Sequence, residues 1–283
     1  EKMINKIYAM DFSFYNTQGV YNFDAQCEMV KEIGYDGIHR SIWDGTRWQT
    51  ADVLATVKKK HGLDATGIYI VLDLDYSIDH PQNSGILTLL DNIEGCTQID
   101  LSIRSAGEDI SPSSTQGDKP VCDWLKLALK ICERRGIEIL LYTHIKFWLE
   151  KHSDAVRLCK KINHPNLGIV FTSFHWYALE GGSPVHVLNE IYPYLRKVHL
   201  SGSRQSPLGF AGVATVEPLD VGELDNFAII GALKNKGYEG MFGYLGWEEG
   251  GDPYVKLKRS HDVLRDMIKR ADEHPNWTDH VSV

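Results

Sequence analysis

Eight apolar segments of strand length alternate with helical patterns along the 283 residues, no linker rich in Pro, Gly or Ser divides them, and several segments break into polar, proton-carrying side chains at the same end. These observations predict an α/β fold, a closed (β/α)8 barrel forming a single domain over residues 1–283, an architecture for which about 250 residues is typical. The structural competitor is an open doubly wound sheet. Its phosphate-binding Gly-x-Gly-x-x-Gly after the first strand is absent.

The elements follow in order. Residues 7–14 read as a first strand with Asp11 near its end, and Asp24 as the N-cap of a helix whose Ala25, Met29, Val30 and Ile33 lie at helical spacing. Gly34-Tyr-Asp-Gly37 stops that helix before a second strand, 38–42, which carries His39 and Arg40. A helix over 51–60, a strand over 66–74, a helix over 86–93 and a strand over 98–104 ending in Arg104 come next. The helical run 122–135 stops at Gly136 and feeds a fifth strand, 137–144, that leaves the core at Tyr142-Thr-His144. Ser153 or Asp154 caps a helix with Ala155, Leu158, Cys159 and Ile162 on one face, and the sixth strand, 168–175, ends in His175. A helix over 185–195 leads to the seventh strand, 197–202, with His199 and Ser201. The loop 203–224 is long enough to be functional. Asp225 caps a helix, 241–246 is the eighth strand, and Asp252-Pro253 is an N-cap followed by proline at the first helical position.

Composition narrows the function. A hydrophobic fraction of 43% is ample for one large core, and a net charge of -8 without any lysine and arginine run argues against nucleic acid as a partner. No apolar run approaches the ~20 residues of a membrane helix. The first residue is Glu1, which fits a soluble protein of the cytoplasm, or one of the periplasm that has lost a signal peptide. Five cysteines without zinc-type spacing read as thiols rather than a disulfide frame. A homo-oligomer is compatible with the sequence.

In such barrels the active site lies at the C-terminal strand ends. That rule selects Asp11, His39, Arg104, Tyr142, His144, His175, His199, Trp247 and Glu248, with Arg204 in the long loop after strand seven. Histidine carries most weight because its ordinary pKa lies near neutrality. His199, His175, Tyr142 and His144 form the expected catalytic group. Asp11, His39, Arg104, Trp247, Glu248 and Arg204 are expected to bind substrate: Trp247 offers an aromatic face for stacking, the arginines hold an anionic group, and Glu248 or Glu249 reaches back as acid or base.

Leu141-Tyr-Thr-His144, Phe171-Thr-Ser-Phe-His175, Val198-His-Leu200 and Gly237-Tyr-Glu-Gly240 resemble motifs of the xylose-isomerase-like TIM barrels, which include sugar-phosphate isomerases and epimerases and an apurinic endonuclease branch, and the resemblance covers nearly the whole chain. The resemblance implies a divalent metal held by Glu, Asp, His and Glu from strands five to eight. The matching positions here are Tyr142, Thr172, His199 and Leu245, so three carboxylates are replaced. Hard divalent ions prefer carboxylate oxygen, and no Mg or Mn is expected there. His144, His175 and His199 would suit zinc if they converge.

The expected function is that of a carbohydrate-acting isomerase or epimerase that moves a proton next to a sugar carbonyl without the usual metal. A lyase or hydrolase acting on an oxidised sugar, or a non-catalytic sugar-binding barrel, is the alternative. Retained histidines favour an enzyme, whereas the lost carboxylates favour a binder.

Overall fold

The structure is a computed structural model that describes residues 4–107 and 109–279. In chain order its strands and helices are β1 (Ile7–Met10), α1 (Phe23–Ile33), β2 (Gly37–Trp43), α2 (Val57–His61), β3 (Asp64–Asp73), α3 (Pro81–Asn92), β4 (Gln98–Arg104), α4 (Asp118–Arg135) and β5 (Glu138–Tyr142). They continue as α5 (His152–Ile162), β6 (Leu167–Thr172), α6 (Ser173–Leu179), α7 (Pro184–Ile191), β7 (Leu195–Leu200), β8 (Gln205–Phe210), α8 (Asn226–Asn235), β9 (Phe242–Tyr244) and α9 (Pro253–Glu273). Eight of the strands close a barrel in the order β1-β2-β3-β4-β5-β6-β7-β9. The predicted architecture is the observed one. Among the described residues no helix is long and apolar enough to cross a membrane.

By internal contacts the chain sorts into two compact units, Glu1–Ile38 with Thr172–Tyr192 and Lys197–Val283, and His39–Phe171 with Pro193–Arg196. In the first, β9 is the centre of a parallel triplet, pairing Phe242 with both Ile7 and Val198, and Gly243 with both Tyr8 and His199. In the second, β3, β4, β5 and β6 pair in sequence, with Asp100 opposite Tyr69 and Leu140. Strands buried on both faces read as continuous apolar runs, and Ile139, Leu140, Leu141 and Tyr142 of β5 are all buried.

Local chemistry shifts several boundaries. Asn22, not Asp24, caps α1, because its side chain accepts from Ala25 N at 2.9 Å, leaving Asp24 in the first turn where an anion suits the dipole. The stretch expected as one helix at 51–60 is a 3-10 segment over Gly45–Thr56 followed by the short α2. α3 opens five residues earlier than the expected 86, on His80 and Pro81. Lys151 rather than Ser153 or Asp154 precedes α5, and Asp154 reaches back to Lys151 N at 2.9 Å as the return half of a capping box. β1 stops at Met10, so Asp11 opens a 3-10 turn, and β6 stops at Thr172, so His175 stands on α6 instead of a strand. Aromatic and β-branched content from Phe171 to Trp176 imitates a strand, but Phe174, His175 and Trp176 are all buried as successive helical residues. The four cysteines 27, 96, 132 and 159 are buried, Cys122 is half-buried, and all five are free thiols.

Candidate functional site

In the first unit the densest polar constellation surrounds His199 on β7. Its register partner Gly243 leaves room for the ring of Tyr8; a Cβ on Gly243 would lie 2.1 Å from Tyr8 Cζ. Tyr8 therefore swings its hydroxyl to 2.5 Å from His199 Nδ1, with the two rings edge to face at 5.6 Å. The same hydroxyl donates to the Val198 carbonyl at 2.9 Å. A hydroxyl has one proton. With that proton on Val198 O, the Tyr8 oxygen accepts from His199 Nδ1–H, and neutral His199 keeps its basic lone pair on Nε2. Lys197, two residues before His199 on the same face of β7, is also buried and holds Nζ 5.7 Å from the Tyr8 ring centre.

The loops of this unit place the remaining candidates. Asp11 is buried at the end of β1. Trp247 is half-buried, edge-on to Phe12 at 5.3 Å and tilted against Tyr15 at 5.4 Å. Glu248 is exposed, accepts from Asn16 Nδ2 at 2.9 Å and holds a left-handed backbone, φ 53°. His175 lies against the rings of Phe174 and Phe210, at 5.0 and 6.3 Å. Arg204, expected to close over an anion, is committed to Glu217 at 3.1 Å. Glu249 turns inward, accepts from the Tyr244 hydroxyl, and burial pushes its carboxyl up to about 7.

In the second unit His39 Nε2 and Asp100 Oδ2 are 2.8 Å apart, both fully buried on β2 and β4. Tyr142 is buried edge-on to Tyr69 at 4.9 Å, and burial raises its phenol well above the ordinary range, so it stays a proton donor. His144 lies two residues beyond β5, bonds the Ile145 carbonyl through Nδ1 at 2.7 Å and stacks on Phe147 at 3.7 Å. Burial lowers it to about 4, so at neutral pH this imidazole carries no charge. Arg104 closes β4 half-exposed, 3.2 Å from Asp73.

Tyr8, Asp100 and Lys197 were not among the residues the strand-end rule selects, because they lie within strands. A signal for the last two was present. Asp100 and Ser102, and Lys197, His199 and Ser201, recur at every second position in otherwise apolar strands.

The positions matching the family's metal ligands do not fit a hard divalent cation: Tyr142 is a protonated phenol, Thr172 a buried hydroxyl and Leu245 apolar. Within the second unit, His39 and Asp100 offer an imidazole and a carboxylate, donor types that a zinc-type site uses.

The sequence matches the family described as xylose isomerase-like TIM barrel over residues 27–267, and the chain belongs to that family. No curated protein matches it. Among solved structures it is similar to 3-keto-D-glucoside 4-epimerase YcjR from E. coli, with 19% identity, 93% of this chain and 100% of that chain covered, and a TM-score of 0.71. A probable 3-DHS dehydratase, AsbF, from Bacillus anthracis shows 22% identity over 92% of this chain and 98% of that chain, with a TM-score of 0.69. An IOLI protein with a bound zinc atom shows 17% identity over 94% and 98%, with a TM-score of 0.72. At these identities the likeness establishes the fold.

Proposed function

We propose that the protein is a carbohydrate-acting enzyme of the isomerase or epimerase type, which removes and returns a proton on the carbon beside a sugar carbonyl. The observation that carries this reading is the buried Tyr8–His199 pair. By holding Nδ1, Tyr8 commits His199 to one tautomer and one orientation, which is how a general base is made ready. His199 Nε2 takes the proton. His175, on α6, is assigned its return, and Tyr142 and His144, one a lasting donor and the other an uncharged imidazole, are assigned the carbonyl and hydroxyl oxygens. His39, Asp11, Arg104, Trp247, Glu248 and Arg204 are assigned to substrate binding. Positioned acid-base groups typically contribute ~10²–10⁴-fold. Likeness to a 3-keto-D-glucoside 4-epimerase supports the reaction class.

Likeness to a probable dehydratase favours a second reading, in which the same base removes the proton and a neighbouring hydroxyl then leaves. Incubating the protein with keto- and aldo-sugars in heavy water, followed by NMR, separates the two. Deuterium in an otherwise intact sugar supports the isomerase; loss of water supports the lyase; neither outcome for any sugar overturns both.

A further inference from the structure

The long loop after β7 is not irregular. Its first arm, β8, folds back on residues 213–215, with Ser206 N donating to Val213 O at 2.8 Å and Thr215 N donating to Arg204 O at 2.9 Å. Val213 N closes the turn on Phe210 O at 3.0 Å through Ala211 and Gly212, both left-handed, as a two-residue hairpin turn requires. The arms touch at Gly209, where a Cβ would meet the Ala214 carbonyl carbon at 2.2 Å. The sequence thus specifies a protruding hairpin, and Leu208 on it is 95% exposed.

Between this hairpin and the Trp247–Glu248 turn lies a cavity of about 360 Å³, within the ~300–1,000 Å³ of small-ligand sites. Phe210 and Trp247 supply aromatic surface, and both rings are fixed by neighbours, Phe210 by Phe174 at 5.7 Å and Trp247 by Phe12 and Tyr15. Glu248 supplies a carboxylate held by Asn16, on a left-handed backbone that a non-glycine residue rarely adopts. Among the described residues, no lysine or arginine lines the cavity. An anion would meet the Glu248 charge with no cationic side chain in the lining to offset it.

Aromatic faces edged by the Glu248 carboxylate and the Thr215 side chain suit a neutral ring with apolar C–H faces and hydroxyls, and disfavour a phosphate. Phe210 also lies against His175, so the cavity adjoins a residue of the proposed catalytic group. Resting on the sugar-enzyme reading, we propose that this cavity is a subsite for a second, uncharged sugar ring, and that the substrate is a glycoside rather than a free or phosphorylated monosaccharide.

The test is isothermal titration of the full chain with glucose, glucose 6-phosphate, maltose, cellobiose and lactose. One disaccharide should bind about tenfold more tightly than glucose, and glucose 6-phosphate no more tightly. Phe210→Ala, which removes a wall, and Val216→Trp, which fills the space, should each cut the disaccharide advantage to about twofold or less, while Phe210→Tyr keeps it. Glucose binding with no disaccharide advantage, or an advantage that survives both Phe210→Ala and Val216→Trp, overturns the subsite and leaves the sugar-enzyme reading standing. Tighter binding of the phosphate ester also overturns it. Absence of binding by every sugar overturns the subsite and the sugar reading together.

Discussion

Replacing Glu249 by glutamine tests how burial governs this chain's stability. Glu249 follows β9, accepts from the Tyr244 hydroxyl, and keeps its other oxygen buried with no hydrogen-bond partner among the described residues, as Ser13 Oγ is. Around it stand Tyr244, Tyr35, Lys256, Arg259 and Glu217. Burial is the largest influence and raises the carboxyl from 4.5 to about 7; the Tyr244 hydrogen bond, Lys256 and Arg259 pull the other way without winning. Because the folded value lies above the unfolded one, the stabilising effect is complete below pH 4.5, declines as pH rises and is lost above about 7. At ~1.4 kcal/mol per pH unit the full loss is about 3 kcal/mol, of which some 2–3 falls between pH 5 and 8. Glutamine cannot ionise and can still accept from Tyr244. Urea unfolding of both proteins at about pH 5, 6, 7 and 8 should show wild type losing roughly that much relative to Glu249→Gln as pH rises. Parallel curves, or a glutamine variant that is less stable at pH 8, would refute the reasoning.

Three further outcomes follow from particular contacts. Gly243→Ala places a methyl group in the Tyr8 ring and should lower stability by about 1–3 kcal/mol, read as a lower thermal midpoint, whereas the same change at Gly136, with nothing nearby, should do far less apart from its left-handed φ. His39→Ala takes a hydrogen-bond partner from the fully buried Asp100 and should cost about 3 kcal/mol in denaturant unfolding; a loss under 1 kcal/mol would show that the pair is not holding the strands together. Elemental analysis after dialysis against Mg and Mn should find neither at stoichiometric level, because Tyr142, Thr172 and Leu245 offer no carboxylate; a tightly held ion of either kind would contradict that argument.

Much of the barrel was legible because hydrophobic periodicity is local. Strands such as 98–104 agree residue for residue, since Ile99, Leu101 and Ile103 alternate with polar residues in the two-residue period of a strand. Boundaries failed where two local rules compete. Phe171-Thr-Ser-Phe-His175 has the composition of a strand, and only packing makes its second half a helix. The site was half legible. His199 was marked by a rule about strand ends, but Tyr8 reads as one more apolar residue in Ile-Tyr-Ala-Met, and its role depends on a glycine at 243 that opens space for its ring. Such a complement between residues far apart leaves no periodic trace. Glu249 was visible only as one of two adjacent loop carboxylates; that it turns inward while Glu248 stays exposed is set by the left-handed turn at Glu248.

The central claim is that His199 moves the proton. The most direct measurement is deuterium incorporation from heavy water into a bound sugar, followed by NMR for wild type, His199→Ala and His199→Asn, with circular dichroism confirming that each is folded. Wild type should exchange the proton beside the carbonyl, and both variants should lose at least ~10²-fold. A folded His199→Ala protein that exchanges at the wild-type rate would contradict the account.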